Sequence, residues 1–172
     1  RHHAGIQAIE NLVRNNVLGA TTHIEYTRQT MRPKPEGITI LEGLASHGLN
    51  TLDFMLNDSQ ELHLLSVDYH LPDGTSTELN LATGAVIRYA MAEGAKAEEY
   101  ARVNVSWSAE KEIRELALTG EKASASSDFG QHQIFILNGK SQATNATHGP
   151  LETQILDALS RTETTAETHL EL

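Results

Sequence analysis

No cysteine occurs anywhere in the 172 residues. Disulfides, thiolate metal sites and cysteine nucleophiles are thereby excluded. No apolar run approaches the roughly 20 residues that a membrane-spanning helix requires. The opening "RHHAGIQAIENLV" lacks the basic-then-apolar layout of a secretory signal. Basic charge is short as well: 13 Lys+Arg stand against 23 Asp+Glu, a net charge of −10. With no Lys/Arg cluster to reverse that field locally, neither nucleic acid nor an anionic membrane surface is an expected partner. These absences together point to a cytoplasmic protein.

Several catalytic signatures are missing too. There is no G-x-G-x-x-G fingerprint for a dinucleotide, no H-E-x-x-H for a helical metal site and no G-x-S-x-G nucleophile elbow. "NGKS" at 138–141 matches the end of a phosphate-binding loop. That loop needs a glycine where Ile134 stands, and "HQIFIL" reads as a strand. The nine histidines show no metal-ligand spacing, and none is expected to hold a metal.

What remains is an ordinary globular composition, 39% hydrophobic and 21% charged, of a length that suits one domain. Ile6, Ile9, Leu12 and Val13 recur at helical spacing, with Gly19 as the expected end of that helix. "THIEYT" reads as a strand, and "RQTMRPKPEGIT" as a loop, because Pro33 and Pro35 suit neither helix nor sheet. A second helix is expected over about 41–56. Period-two stretches follow: "ELHLLSVDYHL", "STELNLAT", "GAVIRYAMAEG", "YARVNVSWSA", "EIRELALTG" and "HQIFILNG", with "EKASASSDFG" as a polar link. "PLETQILDALSR" closes the chain as a helix.

Helix, strand, helix, about six closely connected strands and a helix describe an α+β domain. Its expected architecture is a large, mostly antiparallel, open-faced sheet with helices packed on one face. Apolar residues of opposite parity, such as Val86 with Ile87 and Ile134 and Ile136 with Phe135 and Leu137, suggest an apolar second face. Such a face predicts self-association as a dimer or tetramer.

Within "LEGLASHGLNTLDFMLN" a single histidine, His47, sits in the second helix. The residues alone leave it two roles, a proton carrier at a site or a histidine satisfied by packing.

Element order and several motifs resemble the C-terminal, substrate-binding domain of the Gfo/Idh/MocA oxidoreductases. "RHHAGIQAIENLVRNNVLGATTHIEY" is similar to that family's arginine, helix and glycine turn into a strand. "VSWSAEKEIRELALTGEKASASSD" resembles its aromatic-ended strand and hairpin, and "GPLETQILDAL" its closing helix. The family pattern D-x-G-x-H-x-I-D aligns with Gly43 to Asn50. By that match His47 falls on the catalytic histidine. Gly43 replaces the first aspartate, Ala45 the glycine and Asn50 the second aspartate.

The resemblance implies the substrate-binding and dimerising domain of an NAD(P)-dependent oxidoreductase for a sugar, polyol or related hydroxy compound. The Rossmann domain with its glycine fingerprint and lysine lies outside residues 1–172, so this chain by itself is expected to bind no cofactor and to be inactive. His47 is the candidate proton acceptor. Asn50 and Glu42 are candidate hydroxyl contacts, and Arg1, Arg32 and Lys34 candidate contacts for an anionic group. The missing aspartate leaves open a non-catalytic member that senses a ligand or dimerises.

Overall fold

A computed structural model describes residues 3–56, 61–72, 78–92, 100–131 and 134–144. The closing helix expected near 150–161 and the turn at 73–75 lie outside the described residues. The elements are helix α1 (Ala4–Arg14), strand β1 (Thr21–Gln29), a π-helical turn (Leu41–Ala45) running into helix α2 (Ser46–Leu56), then β2 (His63–His70), a 3-10 turn (Leu79–Leu81), β3 (Gly84–Ala90), β4 (Tyr100–Ser106), β5 (Ile113–Gly120), β6 (Ser124–Asp128), β7 (Ile134–Leu137) and β8 (Lys140–Ala143). The strands form one sheet in the order β2-β3-β4-β1-β5-β6-β7-β8. All neighbours are antiparallel except β1 with β4. This is the α+β, open-faced architecture expected from the sequence. Among the described residues no helix is long and apolar enough to cross a membrane.

The core forms where alternating apolar residues of the central strands meet the helices. Ile24 lies opposite Ala101 and Leu118, and Tyr26 opposite Val103 and Leu116; all six are at most 2% exposed. Helix α1 covers β6 and β7 while α2 covers β1 and β4, so both lie on that one face. His3 caps α1, its Nδ1 accepting from the Gly5 N–H at 3.2 Å, which satisfies a donor that the helix start leaves open.

Five details differ from the sequence reading. Helix α1 ends at Arg14, before Gly19, because Asn16 takes the left-handed conformation at φ 54°. "STELNLAT" is not a strand: Leu79–Leu81 is a 3-10 turn, and Thr83 N–H closes it onto the His70 carbonyl at the end of β2. Leu65 leaves the row of Val67 and Tyr69 because the β2–β3 ladder shifts between Leu64 and Ser66, and it is 62% exposed. The polar link contains β6, and "NGKS" spans the β7–β8 hairpin. There Asn138 and Gly139 have φ of 48° and 74°, the signs a tight two-residue hairpin turn demands. Finally, β1 continues through Arg28 and Gln29, which pair with Val105 and Ser106.

The uncovered face is also more polar than expected. Its central positions carry Glu25, Thr27, Arg102 and Asn104, with Arg102 3.7 Å from Glu25 and Arg88 paired to Asp68. Apolar residues on both faces persist in β3 and β7, the strands that suggested the pattern. They do not extend across β1 and β4.

Helix α2 approaches the sheet closely. A Cβ on Gly48 would stand 2.7 Å from both the Tyr26 ring and the Val103 methyl, inside any real contact distance. For Gly48→Ala the helix-propensity gain is at most about 1 kcal/mol, against about 1–3 kcal/mol for overpacking. Chemical denaturation should show a net loss of roughly 1–2 kcal/mol.

Candidate functional site

The helix-covered face ends in an unusual cross-strand row. One residue pair beyond Tyr26 on β1, Arg28 stands between Val105 of β4 and Arg114 of β5. Phe129 follows beside Arg114, its N–H donating to the Arg114 carbonyl at 2.7 Å. The Phe129 ring contacts Tyr26 at 5.7 Å and His3 at 5.4 Å between centroids. The start of α1 therefore borders this row on one side.

The π turn and α2 border it on the other. A Cβ on Gly43 would stand 2.9 Å from the Trp107 ring, while Gly48 rests on Tyr26 and Val103. Between those two contacts lies His47, exposed on α2, with its carbonyl accepting from the Thr51 hydroxyl at 2.8 Å. The π turn that precedes it is a helical irregularity often found beside functional residues.

Electrostatics at this end favour a neutral histidine. Partial covering of the His47 imidazole lowers its pKa from the ordinary 6.5, and the nearby Arg28 cation lowers it further. Burial raises the Tyr26 pKa, with Arg28 and Arg114 opposing. The Arg28 guanidinium is within hydrogen-bonding reach of the Tyr26 hydroxyl. Three buried donors or acceptors in or near this region, Arg28 Nε, Trp107 Nε1 and Ser127 Oγ, have no hydrogen-bond partner.

The residues singled out in the sequence are distributed unevenly around this row. His47 and Asn50 are exposed on α2 one turn apart, a spacing that puts them on one face. Glu42 is occupied in a reciprocal cap: its Oε2 accepts from the Thr39 hydroxyl at 2.7 Å and the Thr39 N–H at 3.1 Å. Those bonds lower its pKa, and they make it a helix-start residue first. Arg32 is exposed in the loop after β1 and Lys34 is half-buried there; Arg1 lies outside the described residues. Among the described residues no cluster of His, Asp and Glu is arranged to hold a metal.

Arg28, Arg114 and Trp107 are missing from the sequence-based set. The signal for Arg28 was the parity of Ile24 and Tyr26, which continues to residue 28 once the strand is allowed to reach it. Trp107 likewise continues the row of Val103 and Val105. The aspartate of the resembling pattern has no room here, because the Trp107 ring fills the space beside Gly43.

Neither a family model nor a curated protein matches the sequence. Solved structures do match the fold. A 3-ketoreductase from Actinomadura kijaniata, in complex with NADP and TDP-benzene, superposes with a TM-score of 0.72 at 13% identity, over 96% of this chain and 51% of that one. A UDP-N-acetylglucosamine 3-dehydrogenase from Acidithiobacillus ferrooxidans gives 0.67 at 18% identity, over 95% and 50%. A levoglucosan dehydrogenase in complex with NADH gives 0.71 at 11%, over 92% and 52%. The chain thus spans about half the length of the structures it matches.

Two measurements check this geometry. Folded His47 binds its proton less readily than the unfolded chain, so its contribution does not disfavour folding above pH 6.5 and increasingly does as pH falls below that value. Proton NMR should place its midpoint below 6.5, and Arg28→Met should raise it only part of the way back, since the covering remains. Gly43→Asp should cost about 1–3 kcal/mol by overpacking, and Trp107→Ala in the same chain should recover part of that loss in a double-mutant cycle.

At these identities the likeness establishes the fold, one shared with about half of each of these reductase and dehydrogenase chains.

Proposed function

We propose that this chain is the substrate-binding and dimerising half of a cytoplasmic NAD(P)-dependent oxidoreductase acting on a sugar, polyol or related hydroxy compound. The observation that carries the reading is His47, exposed at the start of α2 and held toward its neutral form beside the Arg28 row. The fold is shared with reductases and dehydrogenases of sugar-like compounds, which supports the substrate class.

Among the described residues no strand leads through a glycine-rich turn into a helix start, so they offer no pyrophosphate cradle. The dinucleotide, which supplies the hydride acceptor, is assigned to a separate Rossmann domain, and the chain alone is inactive. The residues here bind and orient the hydroxy compound, and the neutral imidazole of His47 accepts the hydroxyl proton. Asn50, on the same face of α2, is a hydroxyl contact. Arg1, Arg32 and Lys34 remain outer contacts, and Glu42 contributes through its cap. A homo-dimer or tetramer forms through the uncovered face, with polar pairs such as Arg102–Glu25 taking part.

Gly43 favours a second reading. With the Trp107 ring in the aspartate's place, the proton relay of the resembling family is incomplete, as in a ligand-sensing or dimerising module.

Assay of the full-length gene product decides between them. Sugar- or polyol-dependent NAD(P) turnover is expected, with His47→Ala lowering kcat by about 100-fold or more. The 172-residue chain alone should show none. Unchanged turnover in His47→Ala would overturn the assignment of His47. A full-length product that binds a sugar without any turnover would select the sensing module.

A further inference from the structure

Arg28 is held where an arginine is costly. It is half-buried, its Nε is buried without a partner, and its Cα partner across β1–β5 is another arginine, Arg114. Like charges directly opposite on one sheet face destabilise the pair. A buried Nε without a hydrogen-bond partner adds to that cost.

The other described arginines are placed differently. Arg14, Arg88, Arg102 and Arg114 each pair with a carboxylate, and Arg32 is exposed. Arg28 has no such partner among the described residues. Glu112, which pairs with Arg114 of this row, is already committed. Its Oε1 accepts from Arg114 at 2.6 and 3.1 Å, and its Oε2 from the Met31 N–H at 3.2 Å.

The Tyr26 hydroxyl lies against the Arg28 guanidinium, and the Trp107 indole N–H is buried without an acceptor. Among the described residues no carboxylate forms an ion pair with Arg28. The row lies between the starts of α1 and α2, on the side where His47 is exposed.

From this arrangement we infer that Arg28 anchors an anionic group, a carboxylate or a phosphate, carried by the hydroxy compound that His47 faces. The inference rests on the substrate reading above and narrows it to acidic sugars or sugar phosphates. An incoming anion supplies a counter-charge that Arg28 lacks among the described residues, and the planar guanidinium fork suits two-point contact with either group. Neutralising Arg28 also removes the cation that disfavours protonated His47, so binding at one residue is registered at the other.

Calorimetric titration of the 172-residue chain with glucuronate, glucose 6-phosphate, glucose and inorganic phosphate tests this. One of the two acidic sugars is expected to bind at least about tenfold more tightly than glucose, and which one does so identifies the group. Arg28→Met should weaken that binding by about tenfold or more, with a circular dichroism spectrum like that of the parent chain. Should Arg28→Met fail to fold, Arg28→Lys serves instead, keeping the charge but losing the fork and several-fold of the affinity. Binding should also raise the His47 midpoint seen by NMR, a change that a purely structural arginine would not produce.

Equal binding of glucose and both acids, undiminished in Arg28→Met, would overturn the anchor and leave the sugar site standing. Phosphate binding as tightly as glucose 6-phosphate, and lost in Arg28→Met, would uphold the anion anchor and count against a sugar. No heat with any of the four would overturn the anchor.

Discussion

The close seating of α2 on the central strands is the constraint from which the rest follows. Gly48 brings the helix backbone onto Tyr26 and Val103, and Gly43 brings the preceding π turn onto Trp107. No side chain larger than hydrogen fits at either place without displacement. Two contacts a few residues apart fix both the height and the rotation of the helix. His47, between them, is thereby turned outward at the end of the sheet. A helix seated farther out would leave the same sequence with a histidine in open solvent and no neighbouring charge.

The second constraint is electrostatic. In a chain of net charge −10, most described arginines find carboxylates, and Arg28 is an exception. With the partial covering of the ring, the Arg28 cation holds His47 toward its neutral form. The Trp107 ring leaves no room for a larger side chain at residue 43.

Much of the scaffold was legible in the residues. Alternation in "YARVNVSW" gave β4 its buried row, because a half-buried strand repeats every two residues. The helical spacing of Ile6 and Ile9 gave α1. Pattern reading failed where local chemistry outweighed periodicity. Asn16 ended α1 early by adopting a positive φ, the shift near Leu65 changed which side chains face the core, and β1 ran on into residues that the nearby prolines had suggested were loop. That last extension carried Arg28 from an assumed loop to the floor of the site.

The sequence by itself determined the composition limits and the succession of helices and strands, since each depends on residue type and short-range spacing. It also contained Arg28, Arg114, Phe129 and Trp107, but nothing local relates residue 28 to 114 or residue 43 to 107. Those neighbours are set by strand register and helix seating, which are decided by packing over long separations in the chain. Only the tertiary structure therefore decided that an arginine with no carboxylate partner among the described residues lies near the histidine, and that the Trp107 ring fills the space beside Gly43.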